Sequence, residues 1–497
     1  MNVFKLITCL LITGSVFGQK TPTVKQIQAF DQYVATVQKQ WAIPGMSVVV
    51  VKDNKVIFSK GYGVREVGRP EPVDTQTLFA CASTTKAMTV ALMGMLVDEG
   101  KLAWSDPVYK YLPELQLYDA SASREITIRD LLIHDTGVGG TDFFTGAMHI
   151  PVNEMFRRMA LVKPSYSIRS GFIYQNIMYS AAGRIIERLM GTTWAEAIQA
   201  RIFRPLGMLR TVPKRRYIKD DNQVRPHYVI NDTIRVIDYT PDSEIGSAGA
   251  VWSSADDISK WVTCMLDSSK YNGGRLLKPE TWAEVFKTQT LVPNDEYPTM
   301  QLLQPNWLTY GLGWYQHDYK GHKINFHTGS HAGLTAITAQ LPDEKLGIFA
   351  FGNVDHAEGR HALIYKAFDL FALGGTRDWS TEFKTLYEGI KEQNRKATAS
   401  FVAQRVPNTK PSLALQEYAG TYNSLLYGEI TVSLAGNDLS FNANNALTAT
   451  LPHWHYDTFY GSFDKAWQGK TTAQFSLSSV GKVSTLVFNG MDFKKKR

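Results

Sequence analysis

An apolar run from Leu6 to Phe17 stands behind a single cation, Lys5, and is followed by the small residue Gly18. The run is shorter than the roughly 18 apolar residues a spanning helix needs, so it predicts a signal peptide over residues 1–18. From Thr23 to Gln40 the apolar positions Ile27, Phe30, Tyr33, Val34 and Val37 recur at helical spacing, and Pro44-Gly45 closes that segment. Met46 to Lys52 is then a β-branched run, Asp53-Asn54 supplies a turn, and Val56 to Tyr62 reads as the returning strand of a hairpin. A helix is predicted from Thr84 to Glu99. Its residues Met88, Val90, Leu92, Met95, Leu96 and Val97 leave little polar face, which places it in a core, and Gly100 stops it. Further helices fit Thr127 to Leu132, Met178 to Met190, and Ala255 to Leu266 behind the capping candidates Ser253 and Ser254.

Towards residue 350 the pattern turns to strands: Tyr310 to Gln316, Lys323 to His327, Thr335 to Leu341 and Leu346 to Asn353. With the early hairpin they predict one antiparallel sheet closed by both ends of the domain around a helical insert. Residues 376–412 are polar and end in Pro407-Asn408-Thr409-Lys410-Pro411, which reads as a linker carrying a helix at Glu382 to Asn394. Beyond it come short alternating segments: Glu429 to Leu434, Leu439 to Phe441, Ala449 to Leu451, Thr472 to Leu477 and Val483 to Phe488. The expectation is an α+β chain with a signal peptide (1–18), a domain of sheet, flanking helices and a mostly helical insertion (19–375), a linker (376–412) and a small all-β, barrel-like domain (413–497).

Apolar residues at 44% and charged residues at 20% fit a folded globular chain and exclude disorder and a membrane bundle. Loss of residues 1–18 removes Lys5 and no acid, so the net charge passes from +7 to +6. That surplus is spread over the whole chain; the only dense basic run, Lys494 to Arg497, reads as a frayed tail, and no nucleic-acid partner is expected. Export to the periplasm or medium is expected, with no stable membrane insertion after cleavage. Cys9 offers a lipoprotein alternative, disfavoured because Thr8 is a poor residue before an acylated cysteine. Of the other two cysteines, Cys81 lies among apolar residues (LFACAS) and reads as a small buried hydrophobe rather than a catalytic thiol.

The sharpest chemical feature is Ser83-Thr84-Thr85-Lys86 at the mouth of the apolar helix. At i and i+3 a hydroxyl and an amine share one helix face, and serine needs such a neighbour to take its proton. Tyr174-Gln175-Asn176 precedes a helix and can aim a phenol and an amide into one cleft, the phenol for proton transfer and the amide to a substrate carbonyl. His327-Thr328-Gly329-Ser330 ends a predicted strand, where glycine permits close approach to a substrate.

Together these segments resemble the serine β-lactamase and penicillin-binding protein superfamily, in particular its class C, D,D-peptidase and carboxylesterase branches. The matching stretches, in order, are LFACASTTKAMTVALMGMLVDEGKLAWSDPV, ITIRDLLIHDTGV, the Tyr174 loop with ERLMGTTWAEAIQARIFRPLGM, SAGAVWSSADDISKW and FHTGSHAGLTA, covering about residues 25–370. The resemblance implies that Ser83 forms an acyl-enzyme, that Lys86 and Tyr174 exchange its proton, and that Asn176, His327, Thr328, Gly329 and Ser330 hold substrate. The backbone N–H groups of Ser83 and Ser330 would form the oxyanion hole, each donor worth roughly 3 to 4 kcal/mol. Neither metal nor cofactor is implied; the partner is a small-molecule or peptide substrate, and the oligomeric state is left open.

One departure is His327, where class C β-lactamases usually carry lysine. Histidine near pH 7 is mostly neutral and reaches less far towards an antibiotic's carboxylate, so ester or peptide hydrolysis ranks above β-lactam hydrolysis. A non-catalytic penicillin-binding sensor with slow turnover is the remaining alternative. The C-terminal stretches LQEYAGTY (415–422) and HWHYDTF (453–459) resemble an all-β domain often appended to such hydrolases. There His453, His455 and Asp457 read as part of an aromatic face rather than a metal site.

Overall fold

The computed structural model describes residues 21–141 and 150–496, so the predicted signal segment and Cys9 lie outside the described residues. Helix α1 (Val24–Gln40) is closed at its start by a capping box between Thr23 and Gln26. Strands β1 (Gly45–Lys52) and β2 (Lys55–Gly63) form the expected hairpin, and α2 (Thr85–Asp98) follows a single 3-10 turn at Ala82–Thr84. The insert contributes α3 (Asn176–Met190), and α4 (Ala255–Leu266) starts behind Ser254, whose hydroxyl accepts from Asp257 N. The later strands are β3 (Thr290–Leu291), β4 (Leu308–Tyr310), β5 (Tyr315–Tyr319), β6 (His322–His331), β7 (Leu334–Leu341) and β8 (Leu346–Gly352).

These eight strands make one antiparallel sheet in the order β2-β1-β8-β7-β6-β5-β4-β3. Strand β1 pairs with β8 from Met46 opposite Gly352 to Lys52 opposite Leu346, so the first and last strands of the domain lie side by side, second and third from one edge. The unbroken apolar run in β1 has a direct cause. Val48 and Val50 pack into the layer of α1 and α5 (Gly359–Phe368), while Val49 and Val51 pack with α2 and α4 on the other side. A strand covered on both faces loses its alternation.

The segment Tyr310 to Gln316, expected as one strand, is instead divided between β4 and β5. Gly313 adopts φ +78°, in the left-handed region, and Gly311 N donates to Trp314 O at 2.8 Å, which reverses the chain. The polar segment after residue 376 holds α6 (Trp379–Ala403), longer than expected at both ends. Asp378 caps it, and Trp379 and Phe383 are buried beside Tyr365 of α5, so its first turn belongs to the core of the large domain.

Nine further strands, β9 (Gly420–Ser424) to β17 (Met491–Lys495), form a separate antiparallel sheet. A bridge between Ala449 and Phe463 brings its far ends together into a nearly closed barrel filled by Tyr422, Phe441, Phe459, Phe475, Phe488 and Phe493. Asp457 accepts from Ser412 and Tyr418, His453 Nε2 bonds Tyr456 O and His455 Nδ1 accepts from Val406 N, so each has a structural partner.

Candidate active site

The site forms where the start of α2 meets strand β6. Ala82 takes a left-handed φ of +45° and so turns the chain abruptly into the 3-10 turn that presents Ser83. Cys81 N is fixed to Val251 O at 2.8 Å, and Thr84 Oγ1 donates back to Cys81 O at 2.8 Å. Cys81 itself is fully buried, and burial pushes its thiol well above the usual range, which leaves it no role as a thiolate.

Lys86 follows one turn later with no exposed surface. Its Nζ lies 3.1 Å from Ser83 Oγ, 2.7 Å from Asn176 Oδ1 and 2.8 Å from Ala248 O, three acceptors for the three donors of an ammonium. The rings of Tyr174 and Tyr179 flank it, with centroids 4.8 and 5.2 Å away. Tyr174 and Asn176 straddle the start of α3. Asn176 turns its carbonyl oxygen to the lysine, which leaves its NH2 end as the donor side.

Strand β6 supplies the opposite wall. Gly329 is seated so closely that an added Cβ would lie 2.4 Å from Cys81 O and 3.1 Å from Ser83 N. Strand β5 pairs with β6 only as far as Phe326, so among the described residues the β6 edge from His327 onward carries no strand on that side. His327 is buried against Tyr310, whose hydroxyl meets its Nε2 at 3.0 Å, while its Nδ1 meets Thr328 O at 2.6 Å. Burial, helped by the Lys86 charge, pushes His327 down to about 3, so it is neutral at every physiological pH. The hydroxyls of Thr328 and Ser330 turn to the other face, towards Tyr297 Oη at 2.8 Å and Arg360 Nη1 at 3.1 Å. What β6 shows to the serine is therefore backbone and His327.

Two neighbours had not been picked out of the sequence as individual residues. His134, in a left-handed conformation at the end of the helix Ile128–Ile133, stacks on Tyr174 with ring centroids 4.3 Å apart and accepts from Gln175 N at 2.9 Å. Its only sequence signal was its place in ITIRDLLIHDTGV. Arg360, on α5, had none.

Burial also holds His134, His331 and His361 below the normal histidine range and His317 at about 4. The unfolded chain would take up these protons near pH 6.5, whereas the folded chain holds them off until lower pH. Stability is therefore full above about pH 6.5 and declines as pH falls towards 4, by at most about 1.4 kcal/mol per pH unit for each histidine. A thermal midpoint measured from pH 7.5 to 4.5 should fall steadily; a flat profile would contradict the buried neutral state.

Comparison with known proteins adds the lineage. The family model described as Beta-lactamase matches residues 30–370, the span that holds every residue of this site. The chain belongs to the Beta-lactamase family. A second model, described as a domain of unknown function (DUF3471), matches residues 404–497. Among curated relatives, "Unguisins hydrolase ungD" of Aspergillus violaceofuscus is 28% identical over 91% of this chain and 86% of its own. "Protein flp" of Staphylococcus aureus is 23% identical over 66% of this chain and 63% of its own. The octameric penicillin-binding protein homologue from Pyrococcus abyssi shares this family member's fold, with a TM-score of 0.64 at 21% identity, covering 94% of this chain and 100% of that one.

Proposed function

We propose that this chain is an exported serine hydrolase that is acylated on Ser83 and hydrolyses an ester or amide, of carboxylesterase or D-amino-acid peptidase type. The observation that carries the reading is the 3.1 Å approach of a wholly buried Lys86 amine to the Ser83 hydroxyl. A buried ammonium is costly to desolvate and is kept only where partners repay it, here a serine, an amide and a carbonyl. As Ser83 Oγ attacks the substrate carbonyl, its proton passes to the Lys86–Tyr174 pair and then to the leaving group; water reverses the sequence to release the acid. Charge on the tetrahedral oxygen is met by the N–H groups of Ser83 and Ser330, brought together by the missing side chain at Gly329. Asn176, His327 and the β6 edge hold the substrate, a small molecule or peptide. No nucleic-acid partner or cofactor enters this reading, and export rests on residues 1–18. No helix among the described residues is long and apolar enough to cross a membrane.

The hydrolase named among the relatives supports the reaction class. β-Lactam hydrolysis ranks lower because a neutral, buried His327 offers no cation to an antibiotic's carboxylate. A fluorophosphonate should label Ser83, located by mass spectrometry, and p-nitrophenyl esters, D-alanyl peptides and nitrocefin would then rank substrates. Tyr174→Phe is expected to slow acylation by about 10²- to 10⁴-fold with an unchanged fold. An adduct on another residue would refute the assignment, and a stable adduct without turnover of any ester would favour the penicillin-binding sensor.

A further inference from the structure

We propose that Arg360 is a positioning residue for acyl transfer, holding and polarising the Gly329–Ser330 peptide whose N–H serves the oxyanion hole. The inference rests on the reading of Ser83 as the acylated serine and adds to it a residue that never touches substrate.

Arg360 is buried on α5, behind the sheet, on the side of β6 away from Ser83. Its Nη1 donates to Gly329 O at 2.6 Å, to Ser330 Oγ at 3.1 Å and to Ala336 O at 3.1 Å, gripping the β6–β7 pair where Gly329 faces Ala336. The other side of the guanidinium is fixed by Glu358, with Nε to Oε2 at 3.2 Å and Nη2 to Oε1 at 3.1 Å. Burial alone would raise the Glu358 carboxyl, but Arg360 and His361 overcome it and hold it down to about 2, so the pair stays ionised. The guanidinium is therefore locked from both sides.

What this does to the site follows from peptide geometry. All peptide bonds here are trans among the described residues, and in a planar trans unit the C=O and the next N–H point in opposite directions. Fixing Gly329 C=O on Arg360 thus aims Ser330 N–H the other way. Gly329 has no side chain to brace this unit, and its neighbour Ser83 N lies close enough that one β-carbon would crowd it. A cation on the carbonyl end also withdraws charge from the amide and strengthens its N–H as a donor, the cooperative effect of a hydrogen-bonded chain. Such an interaction grows in value as the substrate oxygen becomes negative, so it acts on the transition state more than on bound substrate.

The test uses the full-length protein with p-nitrophenyl acetate. Arg360→Gln is expected to lower kcat by about 10- to 100-fold with KM little changed, and Arg360→Lys, which keeps the charge but loses the fork, should recover part of that loss. Glu358→Gln should give a smaller fall of the same kind. In the acyl-enzyme formed with carbonyl-labelled p-nitrophenyl acetate, p-nitrophenolate leaving, the ester band of the wild type should lie at lower frequency than in these variants, because a weakened donor polarises the carbonyl less. If Arg360→Gln does not fold, Arg360→Lys and Glu358→Gln carry the decision. Wild-type kcat and an unmoved band in those folded variants would overturn the proposal. Failure of the wild type to form any Ser83 acyl-enzyme would overturn the Ser83 reading instead, a result visible before any variant is made.

Discussion

Replacing Lys86 with methionine is expected to lower the acylation rate of Ser83 by at least about 10³-fold while the protein remains folded. The side chain keeps its length and its apolar stem, so packing among Tyr174, Tyr179 and α2 is largely preserved. What disappears is the nitrogen 3.1 Å from Ser83 Oγ and, with it, the Lys86 half of the proton-transfer pair and the charge that organises Asn176 and Ala248 O. Taking the Lys86 donor away from those two acceptors costs up to about 1 to 3 kcal/mol each, offset in part because a buried charge no longer has to be desolvated. Thermal stability should thus change modestly and activity severely. Rates of fluorophosphonate labelling and ester turnover, set beside a melting curve, measure both; near-normal labelling would remove Lys86 from the proton path. The histidines provide a second readout. Loss of the positive charge relieves part of the pressure on His134, His327 and His331, so their protonation, followed by NMR, should move to higher pH.

The second large effect is expected from Gly329→Val. Its β-carbon would fall 2.4 Å from Cys81 O and 3.1 Å from both Ala82 Cβ and Ser83 N, mainly backbone that cannot swing aside. Relief requires β6 to withdraw from the serine turn, which separates the two N–H donors of the oxyanion hole. A shift of about 1 Å is enough to cost on the order of 100-fold in rate, and overpacking of this kind destabilises by about 1 to 3 kcal/mol. Gly389→Ala on the exposed face of α6, where nothing lies within 4 Å of the added carbon, should leave activity untouched. Full activity in Gly329→Val would show that the close approach has no bearing on the chemistry.

Much of the fold could be read because its signals are local. The helix propensity and uniform apolarity of α2, the cap at Ser254, the Asp53-Asn54 turn and the β-branched runs of β1 and β8 each act over a few residues. Where a local cue was weak the reading slipped. Gly311 and Gly313 break one apparent strand into two, and the buried anchor Trp379-Ser380 at the head of α6 was masked by the polar residues around it.

The sequence alone determined that a hydroxyl and an amine stand one helical turn apart, because i, i+3 geometry follows from the helix itself. It also placed His327 at the end of a strand-forming run, where the resemblance to class C β-lactamases implies a lysine. Only tertiary structure decided what surrounds them. Asn176 reaches Lys86 across 90 residues of chain, His134 stacks on Tyr174 across the insert, and Arg360 meets Gly329 from a helix on the far side of the sheet. Such contacts are set by which faces of the sheet and helices are packed together, and residue spacing carries no record of that packing.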